Sequence, residues 1–125
     1  MLKKNHLVLF LAVSYTIVLL NLTLGNPVKL DAPIQFEFQD KLYHFIAYLG
    51  LSSIWSYFSL ISKFEKGILK AFLATLIFGI ILEVIQEWIN PIRSFDILDL
   101  VANCFGVVLG TIIVTYYFRT MKLKY

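Results

Sequence analysis

Residues 68–89 read ILKAFLATLIFGIILEVIQEWI, a run in which only Lys70, Glu83 and Glu87 carry a charge. About 20 consecutive, mostly apolar residues suffice for an α-helix to cross the hydrocarbon core of a bilayer. The dipeptide Asn90-Pro91 follows the run, and proline cannot supply the next helical N–H group. The run therefore predicts one transmembrane helix that ends near residue 89.

Similar apolar runs elsewhere in the chain predict three more spans. Turn residues and charges separate them: Gly25-Asn26-Pro27 and the polar stretch after it, the turn at residues 62–67, and Asn90-Pro91. We expect spans at about 7–24, 40–61, 68–89 and 96–118. Four spans fill a chain of 125 residues, so residues 1–125 are predicted to form one all-α domain, a four-helix transmembrane bundle.

The overall composition excludes a soluble globular protein. The chain is 59% apolar and 15% charged, with a mean hydropathy of +0.79, whereas soluble domains are about 45–50% apolar and about 25% charged. A soluble protein this small could not bury such an apolar surplus, because small domains leave much of their surface exposed. The lone Cys104 can form no disulfide within the chain.

The charges divide between the two predicted membrane faces. Eight of the eleven lysines and arginines lie in the first residues, the turn at 62–70 and the tail at 119–125, beside one of the eight acids, Glu65. Because cytoplasmic loops carry the Lys/Arg excess, both termini are expected in the cytoplasm, and the connections at 25–40 and 90–95 outside. The basic composition thus reflects membrane topology, and no nucleic acid is expected as a partner. The expected location is the cytoplasmic membrane.

Residues 1–24 also have the basic start and apolar core of a cleavable signal sequence. No A-x-A-like cleavage site follows, and Ser14, Thr16 and Asn21 are typical of positions that face other helices. We therefore expect this segment to be retained as the first helix.

Polar side chains gather at the predicted outer ends of the second, third and fourth spans. Within each span they recur at intervals of three, four or seven residues, which places them on one helical face. Their depths are similar, so they are expected to converge on one outward-facing pocket. The candidate ligand-binding residues are Asp40, Lys41, His44, Glu83, Gln86, Arg93, Asp96, Asp99 and Asn103.

An ionisable residue at the centre of a span costs roughly 2.5–3.5 kcal/mol on insertion scales and suggests a function by default. His44, Glu83 and Asp99 are the candidates for acid/base catalysis. Together with Asp40 they are also candidate ligands of a divalent metal ion, since mixed N/O donors suit Zn, Mn or Mg. The alternatives are that Asp40 and Asp96 only cap helices and that the polar groups form a purely structural network.

Small residues predict where the helices approach one another. Gly106 and Gly110, with Ala102 one turn earlier, form a small-xxx-small stripe on the fourth span. Gly79 has the same role on the third span, one turn before Glu83.

The order and spacing of these residues resemble those of the VanZ-like family of small membrane proteins. The resemblance covers about residues 40–110 and rests on the pattern Asp40-Lys41-xx-His44-Phe45-xx-Tyr48, Glu83-xx-Gln86, Arg93 and Asp96-xx-Asp99-xxx-Asn103-xx-Gly106-xxx-Gly110. It implies a four-helix membrane protein of the cell envelope. The family is named for a member linked to resistance against the glycopeptide antibiotic teicoplanin, and the resemblance supplies no reaction.

Three functions are compatible with the residues. The first is a bacterial envelope protein that binds a lipid head group, a lipid-linked cell-wall precursor or a glycopeptide, with Lys41 and Arg93 holding phosphate or carboxylate. The second is a metal- or acid/base-dependent enzyme acting on a lipid-linked envelope substrate. The third is a transporter, which four helices would support only as a homo-oligomer.

Overall fold

The computed structural model describes residues 2–25, 39–89 and 96–124, and within these ranges the chain forms four α-helices and no strand. The helices are α1 (Leu2–Leu24), α2 (Gln39–Ile61), α3 (Gly67–Ile89) and α4 (Ile97–Lys124). The predicted all-helical fold is confirmed.

Each helix contains a stretch long and apolar enough to cross a bilayer: Lys4–Leu24, Lys41–Ile61, Gly67–Ile89 and Ile97–Lys122. The protein is therefore a multi-pass membrane protein. α4 continues to Lys124, beyond the predicted end near residue 118. Basic and aromatic residues favour the interface between membrane and water and tolerate helical conformation, so the helix continues where the apolar run stops.

The distribution of polarity is that of a protein surrounded by lipid. Large apolar side chains such as Phe10, Ile77 and Phe105 are more than half exposed, whereas Glu83 and Asn103 are buried between helices. In a bilayer the exposed apolar side chains contact acyl chains, and polar groups are sequestered because hydrocarbon offers them no partners.

α2 is the central helix of the bundle. It packs on each of the other three, most extensively on α4, whereas the described residues of α1 contact only α2 and α3. Two side-chain hydrogen bonds hold α1 in place: Tyr15 Oη donates to the carbonyl of Ala47 at 2.5 Å, and Trp55 Nε1 donates to Thr16 Oγ1 at 2.9 Å.

The core lies at the middle of α2. Tyr48 and Leu51 are almost fully buried there, against Leu19 of α1 and Val107 of α4.

Two glycines bring α4 against the backbone of α2. A Cβ atom at Gly106 would lie 2.5 Å from the Phe45 carbonyl oxygen and 2.9 Å from the Leu49 nitrogen. A Cβ atom at Gly110 would lie 2.5 Å from the Leu49 carbonyl oxygen. Only glycine fits at this separation, and the close approach sets the position of α4 relative to α2.

Candidate functional site

Seven polar residues from three helices meet at one end of the bundle. The first turns of α2 carry two of them, the last turns of α3 carry two, and the start of α4 carries three. We call this set the polar site; it consists of Lys41, His44, Glu83, Gln86, Asp96, Asp99 and Asn103.

Asp96 caps α4 and links it to both neighbours. Its Oδ1 accepts a hydrogen bond of 2.9 Å from the Leu98 N–H, as an N-cap carboxylate does. Its Oδ2 lies 2.7 Å from Lys41 Nζ on α2, and its own N–H donates to Glu83 Oε1 on α3 at 3.4 Å. The Lys41 ammonium, and then the Leu98 N–H, hold the pKa of the Asp96 carboxyl below its ordinary value. The capping role expected of Asp96 and a role in the site thus coexist.

Lys41 joins two acids of α4. Besides its hydrogen bond to Asp96, its Nζ forms a second ion pair, 3.1 Å from Asp99 Oδ1. The Lys41 side chain is 24% exposed and that of Asp99 is 10% exposed. The pair is therefore partly shielded from solvent, and it links the start of α4 to the first turn of α2.

His44 lies one turn deeper and bridges two residues of α4. Its Nδ1 is 3.0 Å from Asn103 Oδ1, and its Nε2 is 3.6 Å from Asp99 Oδ2. A carboxamide oxygen only accepts hydrogen bonds, so His44 donates through Nδ1. The proton on Nδ1 leaves the lone pair of a neutral ring on Nε2, the nitrogen that faces Asp99.

Glu83 is the most deeply buried acid of the polar site, with an exposed fraction of 1%. His44, Glu83 and Asp99 each offer a donor atom, and these three atoms lie within 4.8 Å of one another. One imidazole nitrogen and two carboxylate oxygens at such separations can hold a metal ion or exchange a proton.

Two buried polar atoms near this cluster have no hydrogen-bond partner among the described residues. They are Gln86 Oε1, one turn beyond Glu83 on the same face of α3, and the hydroxyl of Tyr48, one turn beyond His44 on α2. Buried polar groups are nearly always paired, so both atoms are available to a ligand. The family pattern includes Tyr48, and its position four residues after His44 places it on the same helical face, but a tyrosine within an apolar span is typical of packing as well.

An apolar groove runs beside the polar site on the lipid-facing side of α2 and α4. We call it the lipid groove; its volume is about 610 Å³. It is lined by Lys41, Leu42, Phe45, Leu98, Val101, Ala102, Phe105, Val108 and Leu109. Ala102, expected in the small-residue stripe, thus lines this groove. No sequence signal marks the groove, because its apolar residues resemble any other residues that face lipid.

The remaining expected residues divide into two groups. Gly79 of α3 faces α2 and α4, since a Cβ atom there would lie 2.9 Å from the Tyr48 ring and 3.5 Å from Asn103 Cβ. Arg93 and the side chain of Asp40 lie outside the described residues.

Comparison with known protein families identifies the family of the chain. A family model described as VanZ/LLP1 matches residues 4–119, nearly the whole chain. None of the curated proteins or solved structures that were compared matches the chain.

Proposed function

The chain belongs to the VanZ/LLP1 family, and on that premise we propose that it is a bacterial cell-envelope protein whose polar site binds the head of a lipid-linked or cell-wall-related ligand. In this proposal the polar site faces outward from the cytoplasmic membrane, as the excess of lysine and arginine on the other face predicts.

The observation that carries the proposal is that Lys41 belongs to both the polar site and the lipid groove. A molecule with an apolar chain in the groove would have its head next to this ammonium and the carboxylates around it. An ammonium binds phosphate or carboxylate oxygens, and carboxylates accept hydrogen bonds from hydroxyl or amine groups. A sugar or peptide head joined to a lipid phosphate offers both kinds of group.

The length of the lipid groove supports a ligand that lies in one leaflet. Its lining on α4 extends from Leu98 to Leu109, which corresponds to about 16 Å along a helix axis. The hydrocarbon core is about 30 Å thick, so the groove extends from the polar site to about the middle of the bilayer.

The test is lipid binding by the detergent-purified protein, with a polyprenyl phosphate as the probe and a neutral diacylglycerol as the comparison lipid. We expect selective binding of the phosphate lipid. Filling the groove with Ala102→Phe should weaken binding by about tenfold or more, because the ring would occupy the space of the ligand's apolar chain. A tenfold change corresponds to about 1.4 kcal/mol.

The matched control is Val84→Phe, which adds an aromatic ring to a lipid-facing position of α3 outside the groove. It should bind like wild type. Equal binding by Ala102→Phe and Val84→Phe would refute the groove as the ligand site.

The cell-wall setting also predicts a phenotype. A protein that holds a cell-wall precursor changes the access of glycopeptides such as teicoplanin to their target. Loss of the gene should therefore alter teicoplanin susceptibility, and complementation with Ala102→Phe should fail where Val84→Phe succeeds.

The cluster of His44, Glu83 and Asp99 favours a second candidate function, a metal- or acid/base-dependent enzyme acting on a lipid-linked envelope substrate. The two functions differ in their response to a conservative change. Glu83→Gln should abolish turnover if Glu83 transfers a proton, whereas a pure binding protein should lose affinity only in part.

A further inference from the structure

We infer that His44, Glu83 and Asp99 form a binding site for one divalent transition-metal ion, with zinc as the metal that its donors fit best. The inference rests on the polar site of the proposed function, but it does not require the lipid groove to be occupied. Four observations support it: the donor distances, the orientation of His44, the charge balance and the neighbouring unpaired atoms.

The distance between two of the donors matches that of ligands that share one ion. Zn–N and Zn–O bonds are about 2.0–2.2 Å long, and two ligands at a tetrahedral angle therefore lie about 3.3–3.6 Å apart. His44 Nε2 and Asp99 Oδ2 are 3.6 Å apart, too far for a hydrogen bond. Glu83 completes the set, since one donor atom from each of His44, Glu83 and Asp99 lies within 4.8 Å of the other two.

The orientation of His44 is that of a metal ligand. Its Nδ1–H donates to Asn103 Oδ1 at 3.0 Å, which leaves Nε2 as the ring nitrogen that faces Asp99. Metal-binding histidines almost always donate their other N–H to an oxygen acceptor, and this contact fixes both tautomer and ring orientation. Asn103 is accordingly a positioning residue.

The charges of the described side chains leave room for a divalent cation. Three carboxylates of the polar site, those of Glu83, Asp96 and Asp99, face the single ammonium of Lys41. With a neutral His44 the described side chains carry two uncompensated negative charges, and one divalent ion cancels them. Two unbalanced charges would otherwise be costly at this depth in the membrane.

The site also leaves a position open beside the metal. Three protein ligands plus an exchangeable fourth is the pattern of catalytic zinc sites, whereas structural sites are closed by four. Gln86 Oε1 and the Tyr48 hydroxyl, both buried and unpaired among the described residues, follow Glu83 and His44 by one helical turn on α3 and α2. Either atom would be a candidate to hold a water at the open position.

The test is zinc binding by the full-length protein in detergent, after stripping with EDTA and dialysis. Zinc is titrated and the bound metal is measured by elemental analysis. We expect about one zinc per chain for wild type, and a loss of affinity of at least about tenfold for Glu83→Gln and His44→Ala, the cost typical even of second-shell changes. Co²⁺ should give the d–d absorption of a low-coordinate N/O site in wild type.

Two matched controls separate this site from adventitious binding. Glu87→Gln makes the same change one turn along α3 at an exposed position, and His6→Ala removes the other histidine, which is exposed on α1. Both should keep the zinc. A folded wild type without stoichiometric zinc, or equal zinc in Glu83→Gln and Glu87→Gln, would overturn the inference.

A further pair keeps the test decisive if Glu83→Gln does not fold. Asn103→Leu removes the acceptor for His44 Nδ1 and should lower zinc affinity by about 10–100-fold, whereas Asn103→Asp retains an acceptor and should restore it. Equal affinities in these two variants would contradict the role of Asn103. Ala102→Phe should bind zinc normally, so failure of the lipid proposal is distinguishable from failure of the metal site.

Discussion

The bundle buries polar side chains in two regions, and they differ in chemistry. The polar site is ionisable, and its contacts join different helices, as Lys41 joins Asp96 and His44 joins Asn103. The second region, which we call the hydroxyl cluster, lies on the same three helices, after the polar site on α2 and α4 and before it on α3. It consists of Ser52, Ser56, Ser59, Thr75 and Thr111, all less than 9% exposed.

Most hydroxyls of this cluster bond to their own helix. Ser59 donates to the carbonyl of Ser56 at 2.8 Å, and Thr75 and Thr111 donate at 2.8 Å to the carbonyls four residues earlier. Such side chains complete their hydrogen bonds within their own helix and need no polar partner on a neighbouring helix. Their helices are therefore held together by close packing. The side chains of the polar site find their hydrogen-bond and ion-pair partners on other helices. This dependence on three helices distinguishes the polar site from the packing interface of the hydroxyl cluster.

The largest effect should come from breaking the packing of the hydroxyl cluster. Gly110→Leu would place a side chain where the Leu49 carbonyl and Ser52 now lie. Overpacking costs typically 1–3 kcal/mol and more where backbone must move, so we expect a loss of about 3 kcal/mol or no folded protein. The measurement is thermal unfolding in detergent.

The control for this change is Ile112→Phe, which adds bulk at a lipid-facing position of α4. Its melting temperature should match that of wild type. If Gly110→Leu melts at the same temperature as Ile112→Phe, then α2 and α4 are not held by the glycine contact.

The next effect should come from removing the cation of the polar site. Lys41→Gln leaves Asp99, a nearly buried carboxylate, without its ion-pair partner. Loss of a partner for such a group costs about 1–3 kcal/mol, and thermal unfolding should show it. Lys70→Gln, at an exposed position of α3, should leave the melting temperature unchanged; equal effects of the two variants would mean that the ion pairs contribute nothing.

Much of the fold could be predicted from the sequence because it depends on properties local to each segment. Apolar runs such as 68–89 and breakers such as Asn90-Pro91 act within one stretch of chain. Helical periodicity likewise fixes which residues share a face, as it does for Asp99 and Asn103.

The pairing of the site residues could not be predicted in the same way. That Lys41 contacts both Asp96 and Asp99, or that Ala102 lines a groove, depends on the rotation and shift of α4 relative to α2. These are set by contacts between helices, such as that of Gly106 with the Phe45 carbonyl, and periodicity within one helix carries no information about them.

A smaller effect on the melting temperature should appear when the pH is changed, because the ion pair of Asp96 and Lys41 in the polar site requires an ionised Asp96. The folded protein holds the Asp96 carboxyl at a lowered pKa. Ionised Asp96 therefore stabilises the fold above the ordinary aspartate pKa of about 3.9, and this contribution is lost as the pH falls through the lower pKa of the folded state. The difference in melting temperature between wild type and Asp96→Asn should be constant from pH 7 to about pH 4 and shrink below it.

The background of Lys41→Gln provides the check on this interpretation. Without the ammonium, Asp96→Asn should change the melting temperature less, and the decline below pH 4 should be weaker. An unchanged pH dependence in that background would assign it to other groups.

The smallest effects should separate two serines of the hydroxyl cluster. The hydroxyl of Ser56 is fully buried and has no partner among the described residues, whereas that of Ser59 donates to a carbonyl. Side-chain hydrogen bonds between transmembrane helices contribute about 0.6 kcal/mol on average, and Ser59→Ala, which removes a bond within α2, should cost about that amount or less. Ser56→Ala removes an unpaired polar group and should be neutral or slightly stabilising.

Unfolding of the two alanine variants under identical conditions is the measurement, since both lose one oxygen from the same face of α2. A larger loss of stability for Ser56→Ala than for Ser59→Ala would show that the Ser56 hydroxyl has a hydrogen-bond partner. The hydroxyl cluster would then resemble the polar site, because its stability would depend on contacts beyond each residue's own helix.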